Sequence, residues 1–181
     1  MPEIYVASLA DYNCGILHGT WVSLDESTDL DDVTAQVDLM LAESPAVMRG
    51  LSCVAEDYAI HDHEGFGDYT LHEYTSLSRV VAIAAAIAEH GDAFASYLNE
   101  RGDESVEESV TDFTDRLCGV WKDEVDFAWS EFEELFPDSF QHTASCDWVR
   151  FDPDAYVRAH QMDGYEFIDS ARGTTVLAPD R

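Results

Sequence analysis

Basic residues are what this chain has least of. Among 181 residues there are 9 Lys plus Arg against 38 Asp plus Glu, a net charge of −29, and Lys122 is the single lysine. Binding nucleic acid by neutralising phosphates needs basic surface, and so does docking on an anionic membrane leaflet; both classes are excluded. Long apolar runs are missing too. The longest, Val80 to Ala88, has nine residues and is too short to cross a bilayer. The opening Met1-Pro2-Glu3-Ile4-Tyr5 has no positive segment followed by an apolar one, so no secretory signal is expected. The four cysteines, Cys14, Cys53, Cys118 and Cys146, form no CxxC pair. They are expected as reduced, mostly buried thiols of a cytoplasmic protein. There is no GxSxG, HExxH, P-loop or GxGxxG pattern, and carboxylates are too numerous for one pair to stand out as an acid/base couple. The expectation is a protein that is not an enzyme and needs no cofactor.

What is present is enough to fold. Aromatics make up 12% and the apolar set 46% of the chain, which argues against disorder despite the charge. Glu3 to Ser8 and Ile16 to Leu24 read as strands joined through turn chemistry at Asp11 to Gly15. Thr28 is a candidate N-cap for a helix from Asp29 to Glu43, with Leu30, Val33, Val37, Met40 and Leu41 at helical period and Ser44-Pro45 as its end. Cys53 to Ile60 reads as a third strand and His61 to Gly67 as a loop. Helices are expected over Ser76 to Glu89, Asp92 to Asn99, Asp103 to Leu117 and Asp123 to Phe136, with His90-Gly91, Arg101-Gly102, Cys118-Gly119 and Pro137 as breaks. Cys146 to Phe151 reads as a strand, Asp152-Pro153 opens a helix to Gln161, and strands follow over Tyr165 to Asp169 and Thr174 to Leu177. The order is α+β, not alternating βα units. The expected plan is an elongated chain of three small domains with antiparallel sheets and packed helices: an N-terminal ββαβ domain (1–61), a small helical domain (62–102) and a C-terminal α+β domain (103–181).

Two groups of side chains invite a functional reading. His61-Asp62-His63-Glu64, with His72 and Glu73 nearby, has metal-binding residue types, but structural zinc sites more often use Cys or well-spaced His, and a polar loop is the simpler reading. The acidic helices say more. Asp103, Glu104, Glu107, Glu108, Asp112 and Asp115 lie along one helix, and Asp123, Asp126, Glu131, Glu133 and Glu134 along the next. Like charges three or four residues apart cost a few tenths of a kcal/mol per pair, and only Arg116 compensates the first helix. Three explanations compete: a solvated face; adaptation to high salt, which the scarcity of lysine and the excess of Asp over Glu, 22 to 16, would fit; and imitation of a phosphate array. A duplex carries one charge per ~1.7 Å, so 29 charges correspond to roughly 50 Å of DNA, and a symmetric dimer to ~30 base pairs. The natural partner of such a surface is positive: metal ions, a basic protein or a groove built for DNA. Trp121, Phe127, Trp129, Phe132, Phe136 and Phe140 crowd into twenty residues. They read first as core, and Phe127, Trp129, Phe132 and Phe136 second as a homodimer contact.

The run Ile4-Tyr5-Val6-Ala7-Ser8-Leu9-Ala10-Asp11-Tyr12-Asn13-Cys14-Gly15-Ile16-Leu17-His18-Gly19-Thr20-Trp21-Val22 resembles the opening signature of the ArdA-type antirestriction proteins. So do Ala59 to Phe66, the alanine-rich helix ending in Glu89-His90-Gly91, the acidic aromatic helix through Phe136-Pro137-Asp138, Phe151 to Tyr156 and Gly164 to Phe167. The resemblance covers residues 3 to 170; the tail from Ala171 lies outside it. It implies a non-enzymatic, acidic homodimer of three-domain protomers, carried by mobile genetic elements and shaped and charged like bent B-form DNA. It further implies that the dimer contact lies in the C-terminal domain, and that the partner is a type I restriction-modification enzyme whose DNA groove, formed by specificity and methylation subunits, the protein occupies. On this reading the His61 block is a structural turn, and neither nucleic acid nor membrane is a partner.

Overall fold

A computed structural model describes residues 1–25, 27–101, 105–145 and 150–180, with backbone alone at 144 and 145. It is mixed α+β, with two three-stranded antiparallel sheets. The contacts group the chain into two compact units, 1–109 and 110–181.

The first unit is built on β1 (Glu3–Ser8), β2 (Gly19–Ser23) and β3 (Tyr58–Glu64), in the order β2-β1-β3. The alternation of β1 is its reason for being a strand: Ile4 and Val6 are fully buried, Val22 opposite Ile4 is fully buried too, and Ile60 opposite Val6 is buried. Over the sheet packs α2 (Leu30–Ala42), with α4 (Leu77–His90) against α2 and α5 (Asp92–Arg101) against α4; Val33, Val37, Val80, Ile83, Phe94 and Leu98 are their buried side chains. Ser76 caps α4, and Gly91, at φ +82°, ends it.

Several boundaries differ from the sequence reading. The presumed turn at 11–15 begins as a short helix, α1 (Leu9–Asn13). Asp29, not Thr28, caps α2, accepting the Asp32 N–H at 2.9 Å. Thr28 is already committed to a local turn, its hydroxyl donating to Asp25 Oδ1 and accepting the Asp25 N–H. Ser44-Pro45 ends α2 and caps another short helix, α3 (Pro45–Met48). The third strand lies later than Cys53–Ile60, because pairing with β1 runs from Tyr58 opposite Ser8 to Glu64 opposite Glu3. A bulge there leaves His61 as the extra residue. His61 packs on Tyr12 and His63 on Phe66, so each imidazole sits in its own aromatic contact. The cysteines are also a correction: Cys14, Cys53 and Cys118 are all exposed, and Cys146 lies outside the described residues.

Asp11 ties this unit together. It is fully buried, takes a 2.6 Å hydrogen bond from the Ser8 hydroxyl and a 2.7 Å one from the Ala46 N–H, and so joins α1 to α3. Burial alone would raise its carboxyl. Hydrogen bonds from Ser8, Ser44 and Ala46, with the His18 charge, more than offset that and bring it below its ordinary value of 3.8. A depressed folded-state value contributes stability that is present above pH 4 and is lost as pH falls through the folded value. Asp11→Ala should destabilise the first unit by about 3 kcal/mol at neutral pH, because it orphans a buried hydroxyl and a buried amide. Thermal melting at pH 7 and pH 3 checks this: the gap between variant and wild type should shrink at the lower pH.

The second unit holds the end of α6 (Val106–Arg116), then β4 (Leu117–Trp121), α7 (Glu124–Leu135), α8 (Pro137–Ser145), α9 (Pro153–Met162), β5 (Glu166–Ser170) and β6 (Gly173–Leu177). Its sheet order is β4-β6-β5, which puts the last strand in the middle. β4 stands where a helix end was expected. Gly119, at φ +156°, lies at a register shift against β6. Pro137 ends α7 as expected and also opens α8. Asp152 caps α9 through the Ala155 N–H at 2.9 Å. Of the strand expected at Cys146–Phe151, 146–149 lie outside the described residues, and Arg150 and Phe151 are not in a strand.

Candidate partner-binding surface

The acidic residues of the two helices do not all face the same way. Asp103 and Glu104 lie outside the described residues. In the first unit, Glu107 and Glu108 are exposed in the first turn of α6, where the helix dipole favours negative charge. The Ser105 hydroxyl, 2.7 Å away, the Glu107 N–H and the charge of Arg79 hold the Glu107 carboxyl below its ordinary value. In the second unit, Asp115, Asp126, Glu133 and Glu134 are exposed.

The others are partly engaged in holding the fold. Asp112 is half-buried and lies 3.4 Å from Arg116 Nη1. Asp123 caps α7 through the Asp126 N–H at 2.8 Å. Glu131 is half-buried, with Oε2 3.1 Å from His160 Nε2. It also takes the Tyr156 hydroxyl, whose pKa burial, this hydrogen bond and the Glu131 charge push up to about 12. A carboxylate facing Tyr156 and His160 inside the unit is placed to pin α7 to α9. The sequence carried no sign of this, because His160 lies 29 residues from Glu131.

The aromatic residues divide as well. Phe127 is 2% exposed and meets Trp121, Phe167 and His160 edge-on at 4.9–5.5 Å. It is core, and its side chain is not on the surface. Val125 and Trp129, on one stripe of α7, are 40% and 36% exposed, Leu135 at its end is 57% and the capping Phe136 49% exposed. The apolar stripe of this helix therefore faces outward while Phe127 and Ala128 face the core. Phe132 is half-buried and stacks on Phe151 at 4.2 Å and 8°. Beside these rings is an open recess of about 440 Å³, lined by Asp126, Trp129, Ser130, Glu133, Phe140 and Thr143. Acidic and aromatic surface are thus contiguous on α7 and α8.

Among the described residues no group of three or more His, Cys, Asp or Glu is placed to hold a metal ion, and no described helix is long and apolar enough to cross a membrane. What the fold offers is outward carboxylates beside outward aromatics on a frame of −29 net charge. A surface of that sign attracts positively charged groups.

The particular family follows from comparison. The sequence model of the family described as Antirestriction protein (ArdA) matches residues 4–171, and the chain belongs to that family. None of the curated proteins matches it. The family is one of inhibitors, and membership implies antirestriction directed at type I restriction enzymes.

Proposed function

We propose that this chain blocks type I restriction-modification enzymes by posing as DNA. It occupies the groove between the specificity and methylation subunits, and so protects incoming mobile DNA in the cytoplasm. The observation that carries the reading is the set of outward carboxylates, Glu107, Glu108, Asp115, Asp126, Glu133 and Glu134, on a chain with a single lysine. Carboxylates set out like phosphates compete for a Lys- and Arg-lined groove without needing base readout, because phosphate contacts supply position and much of the affinity. Within the same proposal the protein is a homodimer joined in its C-terminal part, where Trp129, Phe132 and Phe136 give a contact an aromatic centre. The three-domain plan with breaks near 61 and 102 also belongs to this proposal.

The test is displacement of target DNA from a type I enzyme, measured across a salt series. Inhibition should weaken steeply with salt, each lost charge contact lowering the log–log slope by about 0.9. Changing Asp115, Asp126, Glu133 and Glu134 together to Asn or Gln should weaken inhibition by about tenfold or more and flatten the slope. Undiminished DNA binding with inhibitor in excess at low salt would overturn the reading. An unchanged slope in the fourfold variant would assign the acidity to salt adaptation.

A further inference from the structure

The outer face of the first sheet carries an aromatic pair that the acidic helices leave unexplained. Cross-strand register sets Tyr5 opposite both Trp21 on β2 and Asp62 on β3, and sets Glu3 opposite Glu64. Residues directly opposite share a face, so Glu3, Tyr5, Trp21, Asp62 and Glu64 stand on one side of the sheet. Ile4, Val6, Val22 and Ile60 are buried on the other. The two rings lie 5.5 Å apart at 52°, and Trp21 is 42% exposed. Tyr5 is held in place from below: a Cβ on Gly19 would come within 2.8 Å of its ring, so only glycine lets the phenol lie there. Asp62 and Glu64 are exposed, and the three strands contain neither lysine nor arginine.

Ala7 and Ala59 are buried at one end of this face, but Trp21 keeps 42% of its large apolar surface in water, and a cross-strand aromatic pair contributes well under the burial of a core residue. The chemistry of the face does match one ligand. Indole is the best cation-binding ring among the side chains. A guanidinium is planar, stacks on aromatic faces and forks onto carboxylates, which a compact, strongly hydrated ammonium does less well. Around Tyr5, Asp62 stands directly opposite on β3, Glu3 two residues along β1 and Glu64 on the diagonal, spacings of about 5, 7 and 7–8 Å in a regular sheet.

We propose that this face is a guanidinium platform that takes arginine side chains of the DNA-handling partner: Trp21 and Tyr5 stack on the cation, and Glu3, Asp62 and Glu64 balance its charge. The proposal deepens the inhibitor reading and rests on it for the partner's identity. It places part of the recognition on the first unit, in the very run of residues, Ile4 to Val22, that carries the family signature.

The test uses the full chain and a hexaarginine peptide, with hexalysine alongside. Backbone and indole N–H resonances are followed during titration, and the Trp21 indole is identified by its loss in Trp21→Phe. The Trp21 indole should shift saturably with hexaarginine and less with hexalysine. Trp21→Leu should weaken hexaarginine binding about fivefold, and Trp21→Phe should weaken it less. The deficit of the Leu variant should persist at about 0.3 M salt, where purely long-range attraction is screened. A Trp21 indole unmoved at saturating hexaarginine overturns the platform, as does a folded Trp21→Leu chain that binds like wild type. If the Leu variant does not fold, the indole shift of the wild type and the Phe variant still decide. The two readings fail separately. Full inhibition of a type I enzyme by Trp21→Leu would remove the platform and leave the inhibitor. A titrating Trp21 in a chain that inhibits no such enzyme would do the reverse.

Discussion

A chain ending at Ser170 should fail to form its second unit. The eleven residues removed look dispensable: they lie outside the resemblance that carries the rest of the chain, and the family match itself stops at 171. Yet β6 is the middle strand of its sheet, paired with β4 from Leu117–Leu177 to Trp121–Thr174 and with β5 from Glu166–Leu177 to Ser170–Gly173. Thr174, Thr175, Val176 and Leu177 are each at most 2% exposed. Removing them strips both remaining strands of their only ladder within this sheet and empties the space of two fully buried aliphatic side chains, roughly 3–6 kcal/mol by burial alone. Lost main-chain pairing adds to that, against a total stability of about 5–15 kcal/mol for a whole domain. Amide spectra of the truncated chain should therefore keep the dispersed signals of the first unit and collapse those of residues 110–170, with rapid proteolysis confined to that stretch. A cooperative melt of the second unit in the truncated protein would show that β4 and β5 hold without it.

The same strand shows which parts of this fold were legible in advance. Thr174 to Leu177 was readable as a strand from its β-branched run after Arg172-Gly173, but its central place was not, because order within a sheet is set by pairing between distant segments. Helices with strong local signals were found nearly to the residue: α4 between Ser76 and Gly91, and α9 after Asp152-Pro153, where cap and proline fix the start. β4 was missed because Leu117 to Trp121 is short, contains a glycine and follows a helix without a break. Only its pairing with β6 makes it a strand. β3 was misplaced because Cys53 and Val54 have the better composition, while the register with β1 selects Tyr58 to Glu64, polar residues included. The candidate surface was legible as composition and only half as position. Glu107, Glu108, Asp115, Asp126, Glu133 and Glu134 do face outward, but no spacing rule could tell that Glu131 would meet Tyr156 and His160. Phe127 groups with Trp129, Phe132 and Phe136 in the sequence because all four fall in one expected helix, Asp123 to Phe136; three-dimensional packing turns it the other way from Trp129.

Arg116 is where the second unit should prove most sensitive to a single substitution. Among the described residues Arg49, Lys122, Arg150, Arg158 and Arg172 are exposed, but Arg116 is 6% exposed. Its Nη2 lies 2.5 Å from Glu166 Oε1, its Nη1 3.4 Å from Asp112 Oδ2, and its Nε donates to the Ala178 carbonyl at 2.7 Å. Its own carbonyl accepts the Ala178 N–H at 2.7 Å. One side chain thus joins the end of α6, the edge strand β5 and the segment leaving β6. Burial opposes the charge, but the hydrogen bonds and charges of Glu166 and Asp112 outweigh it and hold the guanidinium even more firmly protonated than usual. Arg116→Met keeps the stem and removes all three donors. Losing one partner of such a group typically costs 3–5 kcal/mol when the rest is sealed from water. Here Glu166 and Asp112 are about a third exposed and regain some solvation, so the expected loss is about 3 kcal/mol. Arg116→Lys should lose about half as much, because an ammonium keeps the charge but cannot serve Glu166, Asp112 and Ala178 in three fixed directions. Urea unfolding followed by the Trp121 signal on β4 reads this unit directly. Adding Glu166→Leu to Arg116→Met should recover part of the loss, since an apolar pair can replace a buried ionic one at little cost. That recovery separates the two explanations for the arginine. If the double variant is as unstable as the single one, Arg116 acts through the Ala178 carbonyl and the geometry of the chain end. If it recovers, the dominant penalty of Arg116→Met is the unneutralised, half-buried carboxylate of Glu166, and the cation stands there to balance it.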